Sequence, residues 1–266
     1  MRLVGSSSRV VLSGLATSLA LVLLAAPSVR SGASLAHAAQ SLVDGAWDGW
    51  SPAAPETPPP TRYAPNDGLS TITTWRSSLG EFAERDRLNP PVPGGIVFVG
   101  SSSLRLWDGL AADFPSMNVV NRGFGGSSMA DCARYADRLV LPYRPRGVVV
   151  YAGDNDLAGG ASPQDVLDAY VSLVQQVHAQ LPQTRIAFVS IKPSLARLAL
   201  LPTIVRANEL VRTYSRTDAS LDYIDIHSRM LDADGHPRAE LFRADGLHPS
   251  AAGYAVWQAA IAEHLR

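Results

Sequence analysis

Beyond about residue 70 the hydrophobic positions fall into two alternating patterns. Trp75, Leu79 and Phe82 recur at i, i+4 and i+7 with Glu81, Glu84 and Arg85 between and after them, the spacing of one apolar helix face. Pro90, Pro91 and Pro93 end that pattern. Five short apolar runs follow, Ile96 to Val99, Val119 to Asn121, Gly147 to Tyr151, Arg185 to Ile191 and Tyr223 to Ile226, each of a length suited to a buried strand. Helical patterns come after the last four of them. Met129 to Leu139 follows the second run, Ile204 to Tyr214 the fourth and Ala251 to Leu265 the fifth. The clearest follows the third: Ser162 can cap a helix with Pro163 at its first position and Asp165 three after the cap, and Val166, Tyr170, Val174, Val177 and Leu181 trace one face. Strand and helix alternating in this way predict an α/β fold, a five-stranded parallel sheet covered on both faces.

The first 70 residues read differently. Arg2, Arg9 and Arg30 are the only charges in residues 1–38, an apolar stretch runs from Val10 to Ala26, and Ala36-His37-Ala38 closes the segment. That order of charge, apolar core and small-x-small is a secretory signal peptide, so a secreted or periplasmic protein is expected. The apolar stretch includes Ser13, Gly14, Thr17 and Ser18 and is short for a span, which favours cleavage over a retained anchor and leaves no membrane span afterwards. Residues 39–69 include the proline-dense SPAAPETPPPTRYAP and read as an extended spacer, with the folded domain over 70–266.

Composition narrows the chemistry. The formal charge of −1 offers no basic field for nucleic acid, and Lys192 is the single lysine, so the lysine of a phosphate-binding Walker loop has no source. The one cysteine, Cys132, excludes an internal disulfide framework and any multi-cysteine metal site, and reads as a small buried hydrophobe. Asp232-Ala233-Asp234-Gly235 lacks the third acidic position of a calcium loop and reads as a surface turn. His178 and His264 read as solvated. His227, Arg122 and Lys192 sit at strand ends, where they could line a site or serve local packing.

In parallel sheets ligands gather beyond the carboxyl ends of the strands. The first run leads into Gly100-Ser101-Ser102-Ser103, the second into Gly123-Phe124-Gly125-Gly126-Ser127, and the third into Gly153-Asp154-Asn155-Asp156, which puts all three loops on one rim. Asp245-Gly246-Leu247-His248 precedes the last helix. A serine hydroxyl becomes a nucleophile when an imidazole takes its proton and a carboxylate orients that imidazole, roles open to Ser102, His248 and Asp245. The backbone N–H groups of Ser102 and Gly126 and the Asn155 amide are candidate donors to an oxyanion. Each piece alone has an ordinary reading as a cap or turn; four loops delivering complementary groups to one rim do not.

In that order G-S-S-S, N-R-G-F-G-G, G-D-N-D and D-G-L-H resemble the four sequence blocks of the SGNH, or GDSL-type, hydrolases, and in particular the branch similar to platelet-activating-factor acetylhydrolase subunits and bacterial GDSL-type esterases. The resemblance spans roughly Trp75 to Arg266. It implies a flavodoxin-like three-layer α/β/α sandwich and serine esterase chemistry without metal or cofactor, on a small-molecule or polysaccharide ester. By position it makes Ser102 the nucleophile, Asp245 and His248 the acid and base, and Ser102, Gly126 and Asn155 the oxyanion hole. One departure stands out: Ser101 replaces the aspartate of the family's G-D-S, which leaves Ser101 and Ser103 as rival nucleophiles beside Ser102. The absence of long apolar insertions between the blocks favours small acyl groups. Two other functions compete. One is a noncatalytic sugar- or lipid-binding module on a decayed esterase fold. The other is a dinucleotide site at Gly123-x-Gly125, weakened by Ser128 at the third glycine position and by the lack of an acid ending the next strand.

Overall fold

The computed structural model describes residues 68–265, with side chains from Trp75 onward. The expected export signal lies outside the described residues, as does all but the end of the expected spacer. Helix α1 (Gly68–Leu88) carries the Trp75-Leu79-Phe82 face, and all three side chains are buried.

The strands are β1 (Ile96–Gly100), β2 (Val119–Gly123), β3 (Gly147–Tyr151), β4 (Arg185–Val189) and β5 (Leu221–Ile224), joined as one parallel sheet in the order β2-β1-β3-β4-β5. Both faces are apolar because alternate residues point to opposite sides. Val97, Val99, Val148, Val150, Ile186 and Phe188 pack with α1, α4 (Met129–Arg134), α7 (Pro163–Gln180) and α8 (Leu201–Ser215). Phe98, Val149, Tyr151 and Val189 face Trp107, Phe114 and the Tyr254-Trp257-Ile261 stripe of α9 (Ala251–His264). The result is a three-layer α/β/α sandwich. Burying each large apolar side chain contributes about 1.5 to 3 kcal/mol, so the two layers of contacts hold the sheet's rim rigidly.

Several local features follow from the sequence. Ser162 and Asp165 form a reciprocal capping box at the start of α7. The helix expected over Met129 to Leu139 is interrupted at Tyr135 (φ −109°, ψ 21°) into α4 and α5 (Ala136–Leu139). The fifth strand begins two residues early, at Leu221, and ends at Ile224, beyond which the Ser190 hydroxyl accepts the N–H groups of Ile226 and His227. Three short helices were not legible from periodicity: α2 (Ser102–Arg105), α3 (Leu110–Asp113) and α6 (Asp154–Ala158). Each spans little more than one turn, too short to display a 3.6-residue stripe. His178 and His264 are not simply solvated. His178 Nε2 lies 2.9 Å from the Thr184 carbonyl oxygen, and His264 Nδ1 lies 2.6 Å from Asp222 Oδ2.

Candidate active site

Strand β1 sits in the middle of the sheet's crossover, flanked by β2 and β3, and runs straight into the first of the small polar loops. Gly100 has φ 154°, and a Cβ there would lie 1.8 Å from the Tyr151 carbonyl oxygen, so only glycine lets β1 pass so close to the end of β3. Ser101 then donates its N–H to that same carbonyl at 3.0 Å and starts α2. The three serines separate here. The Ser101 and Ser103 hydroxyls are buried with no hydrogen-bond partner, while Ser102 Oγ lies 2.9 Å from His248 Nε2.

His248 is held from its other side. Its Nδ1 is 2.7 Å from Asp245 Oδ2, and since a carboxylate only accepts, Nδ1 carries the hydrogen and Nε2 is left to accept from Ser102. The loop fixes this pair through its own backbone: Asp245 Oδ1 accepts the N–H groups of Leu247 and His248, both at 2.9 Å. Burial pushes the Asp245 carboxyl up, but the hydrogen bonds from His248 and the loop amides outweigh it and hold the group below its ordinary value.

Gly126 has φ 79°, the left-handed conformation that glycine adopts at no steric cost. Among the described residues neither its N–H nor that of Ser102 has an acceptor. Asn155, at the start of α6, is pinned at both ends of its amide. Nδ2 donates to the Ser127 carbonyl at 3.0 Å, and Oδ1 accepts from Arg197 at 2.9 Å. One amide hydrogen remains unassigned.

The acids on either side of Asn155 are perturbed in opposite directions. Burial pushes Asp154 up, yet the charges of Lys192 and Arg197 and the hydrogen bonds of Lys192 and Tyr151 overcome it and lower the carboxyl to about 2. Among the described residues Asp156 has no ion-pair partner, and burial raises its carboxyl to about 6 even though it accepts the Met129 N–H. Lys192 is buried, with Nζ 2.6 Å from Asp154 Oδ2 and 2.8 Å from the Tyr151 hydroxyl. Sequence reading placed Lys192 at a strand end but gave no sign of this pairing, because the two residues are 38 apart in the chain. Arg197 was missed altogether. It sits in a 3-10 segment (Leu195–Leu200) that has no periodic signal of its own.

Other candidates are engaged by partners of their own. Arg122 is taken up by Asp86, Tyr143 and the ring of Phe82. His227 Nδ1 is tied to the Ile191 carbonyl at 2.9 Å, and burial lowers its pKa. Asp232 Oδ1 accepts the N–H groups of Asp234 and His236, closing an exposed turn. Cys132 is buried, and burial pushes its thiol pKa up, which leaves it inert as a nucleophile.

The model of the GDSL-like lipase/acylhydrolase family matches residues 97–256, from β1 to the middle of α9. The chain belongs to that family. It is therefore a hydrolase acting on ester bonds. No curated protein matches this acylhydrolase. Among solved structures, a Streptococcus pneumonia protein provisionally described as a platelet activating factor superposes with a TM-score of 0.66 at 19% identity, covering 75% of this chain and 98% of its own. A GDSL-like lipase from Bacteroides thetaiotaomicron gives 0.60 at 18% identity, with 70% and 96% covered. A carbohydrate esterase of family 3 from Talaromyces cellulolyticus gives 0.54 at 17%, with 65% and 96% covered. At these identities the likeness establishes the shared fold. The family membership leaves the dinucleotide reading of Gly123-x-Gly125 without support.

Proposed function

We propose that this acylhydrolase is an exported serine esterase in which Ser102, His248 and Asp245 carry out acyl transfer. The observation that carries the reading is the continuous chain Ser102 Oγ to His248 Nε2 and His248 Nδ1 to Asp245 Oδ2, at 2.9 and 2.7 Å. Ser102 Oγ attacks the ester carbonyl carbon as His248 Nε2 takes its proton, and Asp245 stabilises the imidazolium. The Ser102 and Gly126 N–H groups and the remaining Asn155 Nδ2–H receive the oxyanion. His248 then returns the proton to the departing alcohol oxygen. Water, deprotonated in its turn by His248, attacks the acyl-serine and releases the acid.

The substrate we assign is a short-chain or acetyl ester, on a small molecule or a polysaccharide. The continuous match of the family blocks without a long apolar insertion supports this, as does the fold shared with the Talaromyces cellulolyticus carbohydrate esterase and with an acetyl esterase. Export rests on the charged, apolar and small-x-small order of residues 1–38. The test is turnover of p-nitrophenyl esters from acetyl to palmitoyl by the purified protein, with Ser102→Ala and His248→Ala alongside. Wild type should turn over the shortest chains fastest, and each variant should lose at least about a thousandfold in kcat. Full activity in either variant, or no turnover of any chain length with no labelling of Ser102 by a fluorophosphonate, sinks the assignment; the second result returns the noncatalytic binding module.

A further inference from the structure

The Asn155 amide is oriented from outside the four sequence blocks. A free asparagine amide can flip its oxygen and nitrogen at small cost, and only one of the two orientations presents an N–H to an oxyanion. Here the orientation is decided. Arg197 has donors only, so the atom 2.9 Å from its NH2 is Oδ1, and the Ser127 carbonyl accepts only, so the atom 3.0 Å from it is Nδ2.

Arg197 is in turn held by a buried cluster. Its NH1 lies 3.2 Å from Asp154 Oδ2, the same oxygen that takes Lys192 Nζ at 2.6 Å. The Arg197 side chain is 10% exposed, and those of Lys192 and Asp154 are less exposed still. Two cations thus share one carboxylate, which leaves an excess positive charge one hydrogen bond away from Asn155. The segment carrying Arg197 also touches the other half of the site, since the Ala196 N–H donates to the Gly246 carbonyl at 3.0 Å, between Asp245 and His248. A planar fork can keep NH1 in an ion pair with Asp154, without a hydrogen bond between them, while NH2 donates to Asn155; an ammonium offers only a single charged nitrogen.

We propose that Arg197 is a positioning residue of the oxyanion hole. It acts through Asn155, fixing the amide so that its second N–H faces the developing charge, and the Lys192–Asp154 pair holds Arg197 in place. This rests on the acyl-transfer reading above. Its test is a double-mutant cycle on the purified full-length protein, reading kcat and KM on p-nitrophenyl acetate for wild type, Asn155→Ala, Arg197→Met and the double variant. Arg197→Met should lower kcat roughly tenfold with KM unchanged, a part of the ~10²–10³ that follows outright removal of an oxyanion donor. In the Asn155→Ala background the same substitution should change kcat by less than about twofold, because the group it acts through is gone.

Equal losses in both backgrounds, an unchanged kcat, or a loss confined to KM would each overturn the proposal. Arg197→Lys separates orientation from charge and carries the same cycle should Arg197→Met not fold. It keeps a cation beside Asp154 but cannot bridge to Asn155, so kcat should stay low; wild-type kcat in this variant assigns the effect to charge alone and overturns the orienting role. If Asn155→Ala itself leaves kcat intact while Ser102→Ala abolishes it, the oxyanion role of Asn155 fails, and this proposal with it. A large loss in Asn155→Ala combined with additive Arg197 effects sinks only the proposal.

Discussion

Two sets of cation, aspartate and tyrosine, each built on a buried cation, stand at the carboxyl ends of the strands, and only one of them has an open end. At the β2 edge, Arg122 donates from Nε to the Tyr143 hydroxyl at 2.8 Å, from NH1 to the Asn121 carbonyl at 2.8 Å and from NH2 to Asp86, while Tyr143 donates to the other Asp86 oxygen. The guanidinium also covers the rings of Phe82 and Tyr143 at 4.9 and 4.6 Å. Every group in the set is used within it, and its effect is to tie α1 to the sheet. Beyond β4, Lys192, Asp154 and Tyr151 make the same kind of set, but Asp154 also takes Arg197, and Arg197 continues to Asn155. The same interactions therefore serve packing in one place and, on the proposal above, the oxyanion hole in the other. What distinguishes them is the direction of the one remaining hydrogen bond.

The largest expected effect comes from removing the cation of the second set. Lys192→Met removes the shorter of the two cation contacts to Asp154, 6% exposed, and leaves Arg197 as a partial counter-charge, so the loss should approach about 3 kcal/mol, the low end of the cost of breaking a buried pair. Urea denaturation should show that loss, and kcat should fall as well, because Arg197 is drawn toward Asp154. A Lys192→Met protein as stable as wild type would dissolve the contrast between the two sets.

Arg122→Met should be milder. Asp86 is 23% exposed and can recover water, so the loss should be about 1 to 3 kcal/mol. Under saturating ester, kcat of the surviving folded protein should match wild type. A kcat that drops with Arg122→Met would mean that the β2 set reaches the rim after all.

Asp156 shows the same region without a cation, and its effect is smallest. Its carboxyl is raised in the fold to about 6, so its contribution is fully present below the unfolded value near pH 4 and is lost as pH rises through about 6. Asp156→Asn should therefore stabilise the protein at pH 8 by on the order of 1 kcal/mol, discounted for partial exposure, and by little at pH 4.5. Thermal melts at both pH values check this; an equal shift at each would show that ionisation is not the cause. Asp154 has the opposite sign: its carboxyl is lowered to about 2, so its contribution is present above about pH 4 and is lost as pH falls through about 2.

Much of this site was legible before any coordinates. Ser102, the proposed oxyanion donors and the Asp245-His248 pair each lie in a short loop whose small residues and turn chemistry are local properties, and alternation of strand and helix puts the loops on one rim. Ser162 with Asp165 announced α7 for the same reason, since a capping box spans four residues. The Tyr135 interruption was hidden, because no proline or glycine marks it. Among Ser101, Ser102 and Ser103 only the family resemblance favoured Ser102; in the fold the turn into α2 buries the other two hydroxyls and brings Ser102 to His248.

By itself the sequence determined the α/β class, the parallel strands and the family blocks, and it singled out the groups proposed to transfer an acyl chain. Periodicity and short-range turn preferences act within a few residues and survive in a linear string. Only the tertiary structure decided what the buried charges do. Arg122 finds Asp86 across 36 residues and Arg197 finds Asn155 across 42, and a charge pays a heavy desolvation cost wherever the fold buries it, so its role is set by whichever partner the packing brings within reach.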